Sequence, residues 1–140
     1  MGEDRLHGRC LIENGTRHYG GQEKNLSECL DSVSWSDDLV VLDSGSTDKT
    51  LEIADKSGAK VIERQFDNYA AQRNFGLSFN FKYEWILMLD ADERITPDLK
   101  AEIQSILGSP NIEFDCFWIP RQNFFLGKKI KYVEICRCKI

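Results

Sequence analysis

The sequence predicts an α/β protein built on a mostly parallel sheet flanked by helices. Two apolar runs, residues 39–42 and 85–89, are continuous rather than alternating, and each runs into an aspartate. A continuous run of this kind is typical of a strand covered on both faces, as in a parallel sheet. Segments with helical periodicity separate the strand-like runs, and this alternation is the pattern of parallel α/β folds.

The elements follow one another along the chain. We predict helices at residues 23–33, 49–56, 69–78 and 97–107, and strands at residues 39–42, 60–62, 84–89 and 116–119. The first helix carries an apolar stripe at the spacing of one buried face. That stripe consists of Leu26, Cys29, Leu30 and Val33. We expect the strand at 84–89 to be the central one.

Composition limits the kinds of protein that this can be. The chain has 140 residues, 41% of them hydrophobic, which suits one domain that buries roughly two thirds of its unfolded surface. A net charge of -5 argues against a nucleic-acid-binding surface. We find no apolar stretch near the roughly 20 residues that span a bilayer and no signal peptide, so a cytoplasmic location is expected. The five cysteines have irregular spacings and predict neither a disulfide framework nor a zinc site.

Two strand ends carry candidate functional residues. Asp90 and Asp92 follow the run 85–89, and Asp43 ends the run 39–42. In open α/β sheets, ligands bind beyond the carboxyl ends of the strands, so these carboxylates could hold a divalent cation and a ligand there. The alternative for Asp90 and Asp92 is that they only form an acidic turn before a capped helix. The alternative for the segment after Asp43 is a plain strand-to-helix connection, although a buried Asp43 must be paired or used.

Five segments together carry a family resemblance. They read Glu-Lys-Asn-Leu at 23–26, Val-Val-Leu-Asp-Ser-Gly-Ser-Thr-Asp at 40–48, Ala-Gln-Arg-Asn-Phe-Gly at 71–76, Leu-Asp-Ala-Asp-Glu at 89–93 and Arg-Gln-Asn-Phe-Phe-Leu-Gly at 121–127. In this order and spacing, they resemble the nucleotide-sugar-binding half of family 2 glycosyltransferases. The branch is similar to lipopolysaccharide core glucosyltransferases. The resemblance implies the GT-A fold, a Rossmann-like, mostly parallel sheet flanked by helices.

The resemblance also implies roles for residues. Asp43, with Ser44 in the same loop, would bind the nucleoside of a nucleotide-diphosphate sugar, and Arg73 would contact the diphosphate or brace the acidic loop. Asp90 would address the ribose or assist with the metal. Asp92 would hold Mn²⁺ or Mg²⁺ against the diphosphate. For Arg73, a solvated helix position is an equal alternative.

The two ends depart from the family pattern. We assign residues 1–22 to an unmatched N-terminal segment, 23–129 to the nucleotide-sugar-binding domain and 130–140 to an unmatched tail. The family's first strand is not evident, and only Cys10, Leu11 and Ile12 could replace it. The acceptor half, which carries the catalytic base in the family, is largely missing, so the base is unassigned; Glu134 has no motif around it.

Three hypotheses for function remain open from the sequence. The first is an inverting, metal-assisted enzyme that transfers a hexose, expected to be UDP-linked in this branch, to an envelope glycolipid or saccharide acceptor such as the lipopolysaccharide core. Peripheral contact with the inner membrane fits that role, and we expect no nucleic acid among the binding partners. The second is a truncated nucleotide-sugar-binding remnant without turnover. The third is a two-aspartate phosphatase, which is disfavoured because that class carries its acidic pair on the first strand.

Overall fold

The computed structural model describes residues 6–14, 22–79 and 83–130, and the chain divides into two units, Met1–Pro110 and Asn111–Ile140. The first unit alternates strands and helices as predicted. Its elements are β1 (Leu6–Asn14), α1 (Gln22–Ser32), β2 (Ser36–Asp43), α2 (Thr50–Lys56), β3 (Lys60–Glu63), α3 (Tyr69–Leu77), β4 (Ile86–Asp90) and α4 (Pro97–Leu107). The second unit contains β5 (Phe124–Phe125) and β6 (Lys128–Lys129).

The sheet of the first unit has four strands in the order β3-β2-β1-β4, and every pair in it is parallel. This confirms the predicted parallel α/β fold. The doubt about the first strand was wrong, because β1 is present and lies between β2 and β4. Cys10, Leu11 and Ile12 form its centre and are almost completely buried. The strand was missed because these three residues are the only apolar cluster in a polar, glycine-containing segment.

The expectation that strand 84–89 is central was also wrong. Within the described sheet, β4 is an edge strand that pairs with β1 alone. Ile86, Leu87 and Met88 are therefore only partly buried, and Leu89 is the buried residue of this apolar run. A continuous apolar run indicates that both faces of a strand contact other elements, but it carries no information on whether both edges are paired.

Each face of the sheet has its own core. Ile12 and Val41 belong to the larger cluster, which also contains the buried stripe of α1. Leu11, Val40 and Leu42 form the core of the opposite face, where Phe75 of α3 packs against them. The predicted stripe of the first helix is confirmed, since Leu26, Cys29, Leu30 and Val33 are all at most 1% exposed.

The second unit corrects one more prediction. Residues 116–119 were expected to form a strand, but the chain has no regular secondary structure there. Phe117 and Trp118 are exposed at 42% and 66%, respectively. Aromatic residues favour strands only where a neighbouring strand and a buried face receive them, and no strand of the described part of the chain pairs with this segment. A short antiparallel pair of β5 and β6 follows instead.

Some sequence-based predictions fall on residues that the structure does not describe. The tail beyond residue 130, with Glu134 and the cysteines at 136 and 138, lies outside the described residues. Of the described cysteines, Cys10 and Cys29 are buried and free, and burial raises the pKa of each thiol to about 12. None of the described helices has the length and apolarity that a bilayer span requires.

Candidate functional site

The carboxyl ends of three neighbouring strands bring the candidate residues together. In the register of the sheet, Asn14 of β1 lies opposite Asp43 of β2, and Glu13 of β1 lies opposite Asp90 of β4. Neighbouring strands are about 4.8 Å apart, so Asp43 and Asp90 flank the end of β1 on either side. The edge where an open α/β sheet binds its ligands thus carries three acidic residues on three adjacent strands.

Asp43 holds together the loop that follows β2. Its side chain is fully buried, and both of its oxygens accept hydrogen bonds. Oδ2 accepts from the backbone N–H groups of Gly45 and Ser46 at 2.9 and 2.8 Å. Oδ1 accepts from the Ser46 hydroxyl at 2.6 Å and from Asn14 Nδ2 at 2.8 Å. The sequence predicted a direct contact with the nucleoside; the structure gives the carboxylate a role in shaping the loop, and the direct contact stays a prediction.

The environment of Asp43 keeps it ionised. Burial alone would raise the pKa of this carboxyl, but the hydrogen bonds from Ser46, Asn14 and Gly45 together lower it below its usual range. Gly45 adopts a φ of 94°, a left-handed conformation that glycine tolerates best. The loop is therefore folded around the charge of a buried anion.

Ser44, the other predicted residue of this loop, is linked to α3. Its hydroxyl accepts a hydrogen bond from Gln72 Nε2 at 3.2 Å, and Gln72 Oε1 accepts one from Arg64 at 2.8 Å. Gln72 is only 2% exposed. The loop after β2 is therefore fixed from two sides, by Asn14 of β1 and by Gln72 of α3.

Arg73 lies between two carboxylates. Its Nε is 3.5 Å from Glu13 Oε2, and its Nη2 is 3.7 Å from Asp90 Oδ1. Both contacts are longer than ordinary charge-assisted hydrogen bonds. The Arg73 side chain is 43% exposed, whereas that of Glu13 is 8% exposed. The guanidinium therefore neutralises part of the acidic edge and still presents a face to solvent, which suits the predicted contact with a diphosphate or with the acidic loop.

The carboxyl of Glu13 is under opposing electrostatic influences. Burial raises the pKa of its carboxyl, the positive charge of Arg73 opposes that shift, and the negative charge of Asp90 adds to it. Its Oε1 is buried without a hydrogen-bond partner, and so is Oδ1 of Asn14. Buried polar atoms without partners are uncommon in proteins, so each of them calls for an explanation such as a ligand or a functional role. Glu13 Oε1 and Asn14 Oδ1 are thus two acceptor atoms at the buried base of the site, which we call its floor.

The acidic segment after β4 combines a fixed backbone with an exposed carboxylate. Asp90 N–H donates to Glu93 Oε2 at 2.9 Å, and Glu93 N–H donates back to the Asp90 carbonyl at 2.9 Å. The Ala91 N–H donates to the carbonyl of Glu13 at 3.0 Å, which ties the turn to β1. Asp92 is exposed at the tip of this turn. A side chain held on such a backbone can reach a ligand in solution without rearrangement of the loop.

Arg94 ties the same turn to α1. Its Nη1 donates to the carbonyls of Ala91 and Glu93 at 3.3 and 2.8 Å. Its Nη2 donates to Asn25 Oδ1 at 3.3 Å and to Glu28 Oε2 at 3.1 Å. The turn that carries Asp92 is therefore anchored both to the sheet and to the helix.

The donor set at this edge fits a divalent cation of the Mg²⁺ or Mn²⁺ kind. Asp90 and Asp92 supply hard carboxylate oxygens one residue apart, and Asp92 and part of Asp90 are open to solvent. Mg²⁺ is usually held by one or two carboxylates together with waters and substrate phosphates. Among the residues that the structure describes, no group of three or more His, Cys, Asp or Glu side chains could enclose an ion by itself. The edge thus fits an ion shared with a phosphate ligand.

Sequence reasoning did not identify four residues of this edge. They are Glu13, Asn14, Gln72 and Arg94. Glu13 and Asn14 were overlooked because β1 was doubted, although they follow an apolar run just as Asp43 and Asp90 do. The roles of Gln72 and Arg94 depend on contacts between distant segments, which no local pattern contains.

Comparisons with known proteins agree with this geometry. The family model described as Glycosyl transferase family 2 matches residues 18–132. An uncharacterized glycosyltransferase of Rickettsia bellii is 42% identical over 76 residues, which are 54% of this chain and 26% of that protein. The lipopolysaccharide core biosynthesis glycosyltransferase LpsC of Rhizobium meliloti is 26% identical over 111 residues, which are 76% of this chain and 40% of LpsC.

A solved structure shares the fold. The S. aureus TarS 1-349 structure in complex with UDP-GlcNAc superposes with a TM-score of 0.59 at 23% identity, over 73% of this chain and 31% of that one. The chain also spans only 26% to 32% of the length of the Rickettsia relatives that it matches. The fold of the matched region is that of GT-A proteins.

Proposed function

Because the chain belongs to glycosyltransferase family 2, we propose that the carboxyl-terminal edge of its sheet binds a UDP-linked nucleotide-diphosphate sugar together with a divalent cation. The observation that carries the proposal is the arrangement of Asp90, Asp92 and Arg73 at the end of β4, where carboxylates for a cation and a cation for phosphate lie side by side. Family membership sets the phosphatase hypothesis aside. The complex of TarS with UDP-GlcNAc supports the class of donor.

Each residue has a defined part in the proposal. Asp92, with Asp90, would hold Mn²⁺ or Mg²⁺, and such an ion offsets the charge that develops on a departing diphosphate. Arg73 adds a positive charge on the same side. The loop after β2, shaped by Asp43 and presenting Ser44, would receive the nucleoside. The floor atoms Glu13 Oε1 and Asn14 Oδ1 can accept hydrogen bonds from donor groups of the ligand.

The full reaction is a wider proposal. We infer an inverting transfer of a hexose to an envelope glycolipid or lipopolysaccharide core acceptor, at the cytoplasmic side of the inner membrane. The name of LpsC supports this class of acceptor. The catalytic base has no assignment among the described residues. Binding of the donor is therefore the activity to measure first, and release of UDP from a UDP-sugar distinguishes an enzyme from a binding remnant.

The test of the donor site is calorimetry with UDP in the presence and absence of Mn²⁺. We expect Asp92→Ala to weaken UDP binding in Mn²⁺ at least tenfold, which is about 1.4 kcal/mol. Its effect without Mn²⁺ should be much smaller. Asp55→Ala is the matched control, since Asp55 is an exposed aspartate on α2. Equal affinities of Asp92→Ala and the unaltered chain, with both folded, would refute the assignment of the cation to this turn.

A further inference from the structure

Arg94 donates two hydrogen bonds to the acidic turn that carries Asp92. Its Nη1 donates to the carbonyls of Ala91 and Glu93, which are the residues before and after Asp92. The side chain is 29% exposed, so most of it is packed between the turn and α1. A guanidinium has five N–H donors in one plane, which lets it bond two carbonyls and two side chains at once.

The anchor on α1 makes the contact directional. Glu28 and Asn25 accept from Nη2 on one side, while the turn carbonyls accept from Nη1 on the other. Further bonds fix the chain that follows: the Ile95 N–H donates to Ser32 Oγ at 3.1 Å, and that hydroxyl donates to the Cys29 carbonyl. The turn is thus docked on α1, and Arg94 is the side chain that links the two through its charge.

A carboxylate side chain that binds a cation needs neighbouring residues that restrict its backbone. Binding groups held within about 0.5 Å of the productive geometry depend on neighbouring residues that lock them in place. The exposed side chain of Asp92 has to obtain this restriction from its backbone. Arg94 is a side chain that bonds the carbonyls of both residues flanking Asp92.

We propose that Arg94 is a positioning residue of the cation and diphosphate site, acting through the backbone of Asp92 rather than by contact with the ligand. This inference rests on the proposed function, because it assigns to Arg94 a part in the same site. It does not require Arg94 to touch the nucleotide. It predicts that the effect of Arg94 disappears when Asp92 can no longer bind the cation.

The experiment is a double-mutant cycle on the whole chain, with UDP and Mn²⁺ as the probes. We expect Arg94→Gln to weaken UDP binding about tenfold in Mn²⁺ and less than threefold without it. In the Asp92→Ala background, the same change should alter binding less than twofold, because residues that act through each other are not additive. Arg94→Lys keeps the charge but loses the planar fork, so it should not restore affinity.

The control is Lys24→Gln, which removes a positive charge that also pairs with Glu28 on α1. It should leave UDP affinity unchanged, whereas an equal loss in this variant would reduce the effect of Arg94 to net charge and overturn the inference. Multiplicative losses in the cycle, or full affinity in Arg94→Gln, would overturn it as well. If Arg94→Gln does not fold, Asn25→Ala combined with Glu28→Ala removes both helix acceptors of Arg94 and should reproduce the Mn²⁺-dependent loss; full affinity there would overturn the inference. Failure of the unaltered chain to bind UDP with Mn²⁺ would refute the proposed function itself, and the inference with it.

Discussion

Asp43 gives the sharpest test of how this edge is built. Replacing it by alanine removes the acceptor of four hydrogen bonds and leaves their donors around an empty space. A hydrogen bond to a charged group typically contributes about 1.5–3 kcal/mol, but the four share one carboxylate and are not additive. The surroundings decide how much of this sum is lost.

Two of the donors can find water. Gly45 is exposed and Ser46 is half-buried, so their N–H groups are hydrated once the carboxylate is gone. Asn14 is only 2% exposed, but its Nδ2 also donates to Ser46 Oγ at 2.9 Å and keeps that bond. We therefore expect Asp43→Ala to lower the free energy of unfolding by about 3–4 kcal/mol. Asp43→Asn keeps the shape and one acceptor oxygen, and we expect about 1–2 kcal/mol for it.

The pH dependence provides an independent check. The folded-state pKa of Asp43 is lowered, so its contribution is fully present above the unfolded pKa of about 3.9 and is lost as pH falls through the folded value. The difference in stability between the unaltered chain and Asp43→Asn should thus be constant from about pH 7 to pH 5 and shrink below about pH 4.

Urea unfolding followed by circular dichroism at several pH values measures both quantities. A loss below about 1 kcal/mol in Asp43→Ala, or a difference that grows in acid, would refute the view that the charge of Asp43 organises the loop. Calorimetry on Asp43→Asn then connects the loop to the ligand. UDP binding should weaken with and without Mn²⁺, because the loop is proposed to receive the nucleoside rather than the cation.

Two further predictions concern the centre of the sheet. Burial raises the folded-state pKa of Glu13, so its contribution to stability is present below the unfolded pKa of about 4.3 and is lost as pH rises through the folded value. Glu13→Gln should therefore flatten the pH dependence of stability above about pH 4, and an unchanged dependence in urea unfolding would contradict this. Gly76 allows α3 to approach β1, since a Cβ atom there would come within 2.6 Å of Leu11 Cδ2. Gly76→Ala should cost about 1–3 kcal/mol, whereas Asn74→Ala, at an exposed position of the same helix, should cost little.

The sequence predicted the elements that local patterns encode. The helix at 69–78 is present as Tyr69–Leu77, and the helix at 97–107 is present as α4 with a side-chain cap, since Thr96 Oγ1 accepts from the Leu99 N–H. Such features depend on residues a few positions apart. The cap of α4 and the apolar stripe of α1 fall into that class.

Features that depend on distant partners were predicted less well. The segment around Trp118 has the composition of a strand, but a strand needs a neighbour, and the pattern says nothing about whether one is present. β1 shows the converse: three apolar residues suffice for a strand when β2 and β4 pair with it on both sides. For the same reason the order of the strands, and with it the edge position of β4, could not be read from hydrophobicity.

The same distinction explains which site residues the sequence could assign. It identified the positions of Asp43, Asp90 and Asp92 at strand ends, because the position after an apolar run is a local feature. It did not show which carboxylate has a structural role and which is open to a ligand, because other segments determine burial and hydrogen bonding. Asp43 is fully buried and its charge is satisfied by the protein, whereas Asp92 is exposed and its charge is open to a ligand.

Burial and hydrogen bonding therefore divide the acids of this edge into two kinds. A carboxylate with a lowered pKa and four donors has little capacity left for a cation, so Asp43 shapes the site. A carboxylate at an exposed turn keeps its lone pairs, so Asp92 is open to the cation that we propose. Glu13 lies between these cases: it is buried beside Arg73, and one of its oxygens has no partner. A buried acceptor without a hydrogen bond typically costs about 1–3 kcal/mol of stability, so a ligand that donates a hydrogen bond to this oxygen would regain part of that energy on binding.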